Sequence, residues 1–219
     1  MNVLELFSGT GSVGKVCRSI GWNTVSVDMI LKADHNCDIM EFDYKQYPKD
    51  YFQVVWASPP CTNYSKLQDC WLGRTRKGVI YTKEIQEADM NAGDILIKKT
   101  LEIINYFDCK YWFMENPQSG RMKDRDIMKG IPFYDVDYCM YSDWGYRKRT
   151  RIWTNKDDFE PKLCDKQCGN MVGTLHKTNL GNADRIKRAN ISNVDKFNGT
   201  SQTDRYRIPE DLIFSLFLD

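Results

Sequence analysis

Short apolar runs alternate with amphipathic stretches along most of the chain, and each apolar run ends in a polar or glycine-rich corner. Residues 2–6 (NVLEL) are followed by Ser8, Gly9, Thr10 and Gly11. An amphipathic stretch over 13–20 then stops at Gly21, which predicts strand, tight turn and helix. Residues 24–27 and 52–57 are β-branched or apolar runs that end in Asp28 and in Ser58, Pro59 and Pro60. The clearest helix spans 84–107, where Leu96, Ile97, Leu101, Ile104 and Phe107 fall on one stripe; Gly93 is the residue that weakens it. Residues 110–114 repeat the strand pattern and run into Glu115, Asn116 and Pro117. Strands and helices in this alternation predict an α/β fold, a doubly wound and mostly parallel Rossmann-like sheet, with ligands gathered at the carboxyl ends of its strands.

Beyond residue 154 the texture changes. Residues 155–203 are rich in Asn, Asp, Lys and Gly without a sustained period and read as a small loop-rich appended region. Residues 204–219 carry a short helix over 209–218 whose Leu212, Ile213, Leu216 and Phe217 can pack back on the main unit, 1–154. A hydrophobic share of 42% excludes a wholly disordered chain, and the length of 219 residues fits one domain with an appendage. With 31 basic and 30 acidic residues the chain is no polycation, so attraction to nucleic acid must come from local clusters. His35 and His176 are the only histidines, which excludes multi-histidine metal chemistry. The eight irregularly spaced cysteines, behind a start without the charged and apolar regions of a signal peptide, predict free thiols in an intracellular, reducing compartment, cytoplasm or nucleus. The longest apolar stretch, near 212–218, is too short to span a bilayer.

Candidate chemistry sits in the polar corners. The Gly9-Thr10-Gly11 turn before a helix lets a ligand approach the backbone closely, although such turns also occur only because they are tight. Asp28, about twenty residues on, stands where a carboxylate accepts hydrogen bonds from a ribose diol. Asp38 and Ile39 are placed to face and cover an adenine. No third glycine or Walker lysine follows, so a nucleoside cofactor without a pyrophosphate fits better than a dinucleotide. Pro59 and Pro60 fix the backbone ahead of Cys61, which favours a presented nucleophile over an inert core thiol. Glu115, at the next strand end, is a candidate proton donor to a ring nitrogen, its plainer role being a cap. Arg147, Lys148, Arg149 and Arg151, flanked by aromatics, and Arg74, Arg76 and Lys77 after Cys61, suit phosphate contact and base stacking. Arg185, Lys187 and Arg188 offer a further backbone grip. Cys164, Cys168 and His176, with Cys139 as a conceivable fourth ligand, are spaced like part of a zinc knuckle; free thiols are the alternative.

Together these residues resemble the cytosine-C5 DNA methyltransferases. LELFSGTGS is similar to the family's first motif, Pro60-Cys61 with Tyr64-Ser65 to its Pro-Cys motif, Glu115-Asn116 to its Glu-Asn motif, and Arg149-x-Arg151 to its late Arg-x-Arg motif, in the family's order. The resemblance implies a class I methyltransferase sheet over 1–154 and a reduced target-recognition region over 155–203. It implies S-adenosylmethionine as cofactor, held by Phe7, Ser8, Gly9, Gly11, Asp28, Asp38 and Ile39. DNA is the implied partner: its flipped cytosine is attacked at C6 by Cys61 and protonated or hydrogen-bonded at N3 by Glu115, with Arg149 and Arg151 holding the base or its phosphate. Pro117, Thr62 and Arg147 depart from the family's usual valine and two glutamines. The Gly-Asn-Ser-containing last motif is absent; the segment 206–217 stands in for it, or another subunit completes the pocket, or cofactor binding is weak. The competing readings are an exocyclic-amine methyltransferase, on Ser58-Pro59-Pro60, which then lacks the aromatic residue at Cys61; a tRNA cytosine-C5 methyltransferase; and a non-catalytic nucleic-acid-binding protein of the same fold.

Overall fold

The structure, a computed structural model, describes residues 1–179 and 198–218. In chain order it begins with strand β1 (Asn2–Leu6), helix α1 (Ser12–Ser19), β2 (Asn23–Val27) and β3 (Val54–Ala57). A small hairpin, β4 (Thr75–Arg76) and β5 (Val79–Ile80), precedes the long helix α2 (Lys83–Phe107). Then come β6 (Tyr111–Pro117), β7 (Phe133–Asp137) and β8 (Arg149–Thr154). The short strands β9 (Met171–Val172), β10 (Leu175–His176), β11 (Thr178–Asn179) and β12 (Asn198–Gly199) lie in the appended region, followed by helices α3 (Gln202–Tyr206) and α4 (Glu210–Leu218). The six-stranded main sheet has the order β2-β1-β3-β6-β8-β7. It is parallel from β2 to β6, and β8 runs against both β6 and β7.

The parallel register positions the site. Leu6 pairs with Val27 on one side and Ala57 on the other, and Ala57 pairs with Met114. All four strands therefore reach the same level, and the corners after them form one continuous edge. Alternation along β1 divides the core between the two faces of the sheet. Leu4 and Leu6 join Val55, Met114 and the α2 residues Ile97, Ile103, Ile104 and Phe107. Val3 joins Trp56, Phe113, α1 through Val13, Val16 and Cys17, and α4 through Leu212, Ile213, Leu216 and Phe217. The layers are helix, sheet, helix.

Between two buried apolar neighbours, Glu5 points toward α1. It is almost fully buried, and its two oxygens accept the N–H groups of Val13 (3.1 Å) and Gly14 (2.9 Å). Free donors in the first turn of a helix favour a negative group, which explains an acidic residue inside a core strand. Gly14 makes room for it, since a Cβ there would lie 2.9 Å from Glu5 Oε2.

Two parts of the sheet exceed the expectation from sequence. β6 does not stop at Met114 but carries Glu115, Asn116 and Pro117 into the ladder, opposite Ile152, Arg151 and Thr150 of β8. The hairpin of β7 and β8 has no long apolar run to reveal it: charged residues of one face alternate with Val136, Thr150 and Ile152 of the other. The helix over 210–218 and its packing residues lie where the periodicity places them.

Burial holds the Glu5 carboxyl near pH 7 instead of 4.5, against the pull of the two backbone donors and of Arg18. An acid raised in the folded state stabilises most below its unfolded value, so its contribution is complete below about pH 4.5 and is lost as pH rises through about 7. Denaturant unfolding across that window is expected to show a fall in stability of about 3 kcal/mol from this group. Glu5→Gln is expected to flatten that slope; an unchanged slope would assign the proton uptake elsewhere.

Candidate active site

β3 is buried along its whole length and delivers the chain to Pro59, Pro60 and a single 3-10 turn, Cys61–Tyr64. The turn is held from several sides. Asn116 Nδ2 donates to the Pro59 carbonyl at 2.8 Å, and Arg121 N donates to the Tyr64 carbonyl at 2.8 Å. Tyr64 is buried, and its hydroxyl donates to Asp94 Oδ1 of α2 at 2.8 Å. Its ring lies on Gly93, where a Cβ would come within 2.6 Å of the phenol. The glycine that weakened the predicted helix is thus the seat of the anchor of the Cys61 turn. The Asn of Glu115-Asn116 acts as a clamp between adjacent strands, and its Oδ1 is buried without a hydrogen-bond partner among the described residues.

Glu115 is buried on the opposite face of β6 from Asn116, the face of α1 and α4. Its Oε1 accepts from the Tyr138 hydroxyl at 3.1 Å and from Lys148 Nζ at 3.3 Å. Lys148 also donates to the Arg205 carbonyl (3.0 Å) and lies over the Tyr138 ring. Cys61 is within electrostatic reach of this group. Burial pushes its thiol above the ordinary range, the Glu115 carboxylate adds to the rise, and Lys148 and Arg205 oppose it.

The basic stretch divides by strand alternation. Lys148, expected on the nucleic-acid side, is turned inward, because it shares a face with Thr150 and Ile152 and so meets Glu115. Arg149 and Arg151 lie on the other face. Arg149 binds the fully buried Asp137 through Nε (3.0 Å) and Nη2 (2.6 Å), and Arg147 reaches the same carboxylate at 3.1 Å. Arg151 pairs in the same two-pronged way with Asp135 and stacks over Phe133. The role of Lys148 beside Glu115 was missed from sequence, although the two-residue period leading back from Ile152 carries the signal.

At the glycine corner Gly9 and Gly11 have φ of 52° and 67°, a region open to glycine at little cost, and Phe7 shares it at 55°. Nothing lies within 4 Å of a Cβ built on Gly11. The first-turn donors of Val13 and Gly14, expected to face a ligand, are taken by Glu5. Asp28 stands at the end of β2 and ties the corner together: Oδ2 accepts from Gly9 N (2.8 Å), and Oδ1 accepts from Ile30 N (2.8 Å) and Leu31 N (2.7 Å). Ser8 is buried, and its N–H donates to the Val27 carbonyl. Asp38 is half-buried and accepts from Met40 N, whereas Ile39 is a core residue on the α2 face. Beside Asp28, Met29 and Ile30 are 64% and 81% exposed, an apolar surface that the sequence reading passed over.

Arg74 and Arg76 belong to the β4–β5 hairpin and its approach; Arg74 is exposed, and Arg76 stacks on Tyr81 and faces Asp89 at 3.6 Å. Arg185, Lys187 and Arg188 lie outside the described residues. The ligand atoms of Cys139, Cys164, Cys168 and His176 lie within 4.8 Å of one another. The segment around α3 crosses between the two halves of the edge: Tyr146 donates to the Asp204 carbonyl, Lys148 to the Arg205 carbonyl, and Ile208 N to the Ser12 hydroxyl at the start of α1. A cavity of about 530 Å³ lies elsewhere, lined among others by Met140, Trp144, Asn170, Lys177 and Glu210, and takes in none of the predicted catalytic or cofactor residues. Among the described residues no helix is long and apolar enough to cross a membrane.

The sheet with its reversed β8 and flanking helices has a Rossmann-like methyltransferase fold. Its architecture matches Entamoeba histolytica methyltransferase EhMeth with a TM-score of 0.50 and 17% identity, covering 75% of this chain and 55% of that one. The chain thus spans about half the length of that solved structure. No family model matches the chain. A frog virus 3 (isolate Goorha) protein described as a probable DNA (cytosine-5)-methyltransferase is 40% identical over 220 residues, 99% of this chain and 98% of the relative. The chain belongs to the DNA (cytosine-5)-methyltransferase family.

Gly93→Ala is expected to lower stability by about 1–3 kcal/mol in denaturant unfolding, despite the better helix propensity of alanine, because the methyl group collides with Tyr64. A neutral result would mean that Tyr64 relocates freely. Alkylation of Cys61 at pH 8, followed by peptide mass spectrometry, is expected to speed up several-fold in Glu115→Gln and to slow in Lys148→Met. Equal rates in all three proteins would show that these charges do not reach the thiol.

Proposed function

We propose that the chain transfers a methyl group to C5 of cytosine in DNA, with Cys61 as nucleophile and S-adenosylmethionine as methyl donor. The observation that carries this reading is Cys61 on a rigid turn at one strand end, within reach of a buried Glu115 at the next, in a member of this family. The residues present fit the cofactor. Gly9 and Gly11 leave the corner open, Asp28 keeps an acceptor position at Oδ2 for a ribose hydroxyl, and Asp38, Met29 and Ile30 offer a polar edge and an apolar cover for a planar base. Phe7 and Ser8 belong to the same corner, and Ile39 is a buried core residue next to Asp38. When bound, the cofactor supplies an electrophilic methyl group on its sulfonium.

The chain's own residues do the rest. Cys61 as thiolate adds to C6 of a flipped cytosine, and the electron pair moved onto the ring makes C5 nucleophilic. Glu115 meets the base at N3; both protein donors use its Oε1, which leaves Oε2 for that contact. Loss of the C5 proton to water lets its bonding pair re-form the C5–C6 double bond, and Cys61 departs as thiolate with the C6–S pair, which restores the aromatic ring. Tyr138 and Lys148 orient the carboxyl group, and Lys148 offsets the negative charge that would otherwise oppose the thiolate. Arg147 and Arg149 share one carboxylate, so their grouping keeps net positive charge for the base or an adjoining phosphate, and Arg151, Arg74 and Arg76 would add contacts to the nucleic-acid backbone. Residues 1–154 would be the catalytic unit, 155–203 the reduced recognition region, and the segment around 204–208 the closure of the cofactor corner in place of the missing last motif.

Transfer of label from S-adenosylmethionine to duplex DNA, with RNA in parallel, tests this reading. Cys61→Ala is expected to abolish incorporation, and DNA carrying 5-fluorocytosine is expected to form a covalent adduct that requires Cys61. Incorporation surviving the substitution would remove Cys61 from the chemistry, and labelling of RNA alone would change the substrate.

A further inference from the structure

The proposed methyl transfer does not use the cysteine and histidine cluster, which stands on geometry of its own. Cys139 lies in the turn Tyr138–Met140 directly after β7, and Cys164 and Cys168 lie on the loop that returns past it. His176 is brought in by the β9–β10 hairpin, whose tight turn uses Gly173 at φ 60°. Cys164 Sγ is 3.6 Å from Cys168 Sγ and 3.5 Å from His176 Nε2, and Cys168 Sγ is 3.4 Å from the same nitrogen. A tetrahedral zinc ion with ordinary bond lengths would set its sulfurs about 3.8 Å apart and a sulfur and a nitrogen about 3.6 Å apart. The sulfurs are too far apart for a disulfide, whose S–S bond is about 2.0 Å. Lys166 N–H donates to Cys164 Sγ at 3.3 Å, a contact suited to a thiolate ligand, and Lys166 takes the left-handed conformation (φ 71°) to make it.

We propose that Cys139, Cys164, Cys168 and His176 bind one zinc ion in a closed structural site that fastens the segment 161–178 to the end of β7. Three thiols and an imidazole are a soft donor set that selects zinc over magnesium or calcium, and four protein ligands leave no open position for catalysis. The segment has little core of its own, so a metal replaces the hydrophobic packing it lacks. Its anchoring also reaches the arginines: Cys164 N donates at 2.8 Å to Asp137 Oδ2, the carboxylate that holds Arg147 and Arg149. The proposal is independent of the methyl-transfer reading.

Elemental analysis of the full chain, purified without added zinc and dialysed against metal-free buffer, is expected to give about one zinc per chain. Cobalt in its place is expected to give the intense visible bands of a tetrahedral thiolate site. Chelation is expected to lower the Tm. Cys164→Ser combined with Cys168→Ser is expected to lose the metal, whereas His176→Cys keeps four ligands and is expected to retain it with stronger sulfur-to-cobalt charge transfer. The wild type and His176→Cys decide the question even if the double variant does not fold. A zinc content near zero in folded protein, zinc retained by the double variant, a Tm indifferent to chelation, or a disulfide among these cysteines would overturn the proposal.

Discussion

The parallel register of β2, β1, β3 and β6 is the constraint on which the rest depends. Because Val27, Leu6 and Ala57 end their strands at the level of Met114 in β6, corners that are far apart in sequence share one edge. A slip of one residue would reverse the side chains of a strand, sending Glu5 away from α1 and Glu115 away from Tyr138 and Lys148. The Asn116–Pro59 hydrogen bond then joins two of these corners directly, so that the turn carrying Cys61 is set by its neighbouring strand as well as by its own prolines.

Electrostatics at this edge are a balance among few groups. Cys61 and Glu115 are both partly or wholly withdrawn from water and oppose one another's negative charge. Lys148 is the compensating cation, held by the Tyr138 ring, the Glu115 carboxylate and a backbone carbonyl of the C-terminal segment. Its buried position restricts its motion and strengthens its effect on both acids, because little solvent screens them. The arginines on the opposite face of β8 are organised differently, each satisfied by an aspartate of β7. The two faces of one strand therefore serve the two tasks proposed for this edge, chemistry and backbone grip.

The segment 202–218 packs back on the main sheet. α4 fills the face of the sheet beside α1, and the residues just before it touch both Lys148 and Ser12. Among the described residues of the appended region, small hairpins and a cluster of sulfur and nitrogen atoms stand in place of a second core.

Local features were legible in the sequence because they depend on near neighbours. Strand and helix periods, the glycine turn, the two prolines ahead of Cys61 and the placement of Glu115 after an apolar run follow from sterics and burial within a few residues, and the structure puts these elements close to their predicted bounds. The β7–β8 hairpin was hidden, because its basic positions suggest phosphate contact and base stacking, and only the fold pairs Arg151 and Arg149 with Asp135 and Asp137. The sequence by itself determined the strands, the helices and the polar corners in which the candidate residues stand. Only the tertiary structure decided which of them meet: Lys148 with Glu115, Tyr64 with Gly93, Ile208 with Ser12, and Cys139 with a cysteine pair and a histidine that follow it along the chain. Those meetings are set by register and packing between distant segments, and no property of a residue's immediate neighbours encodes them.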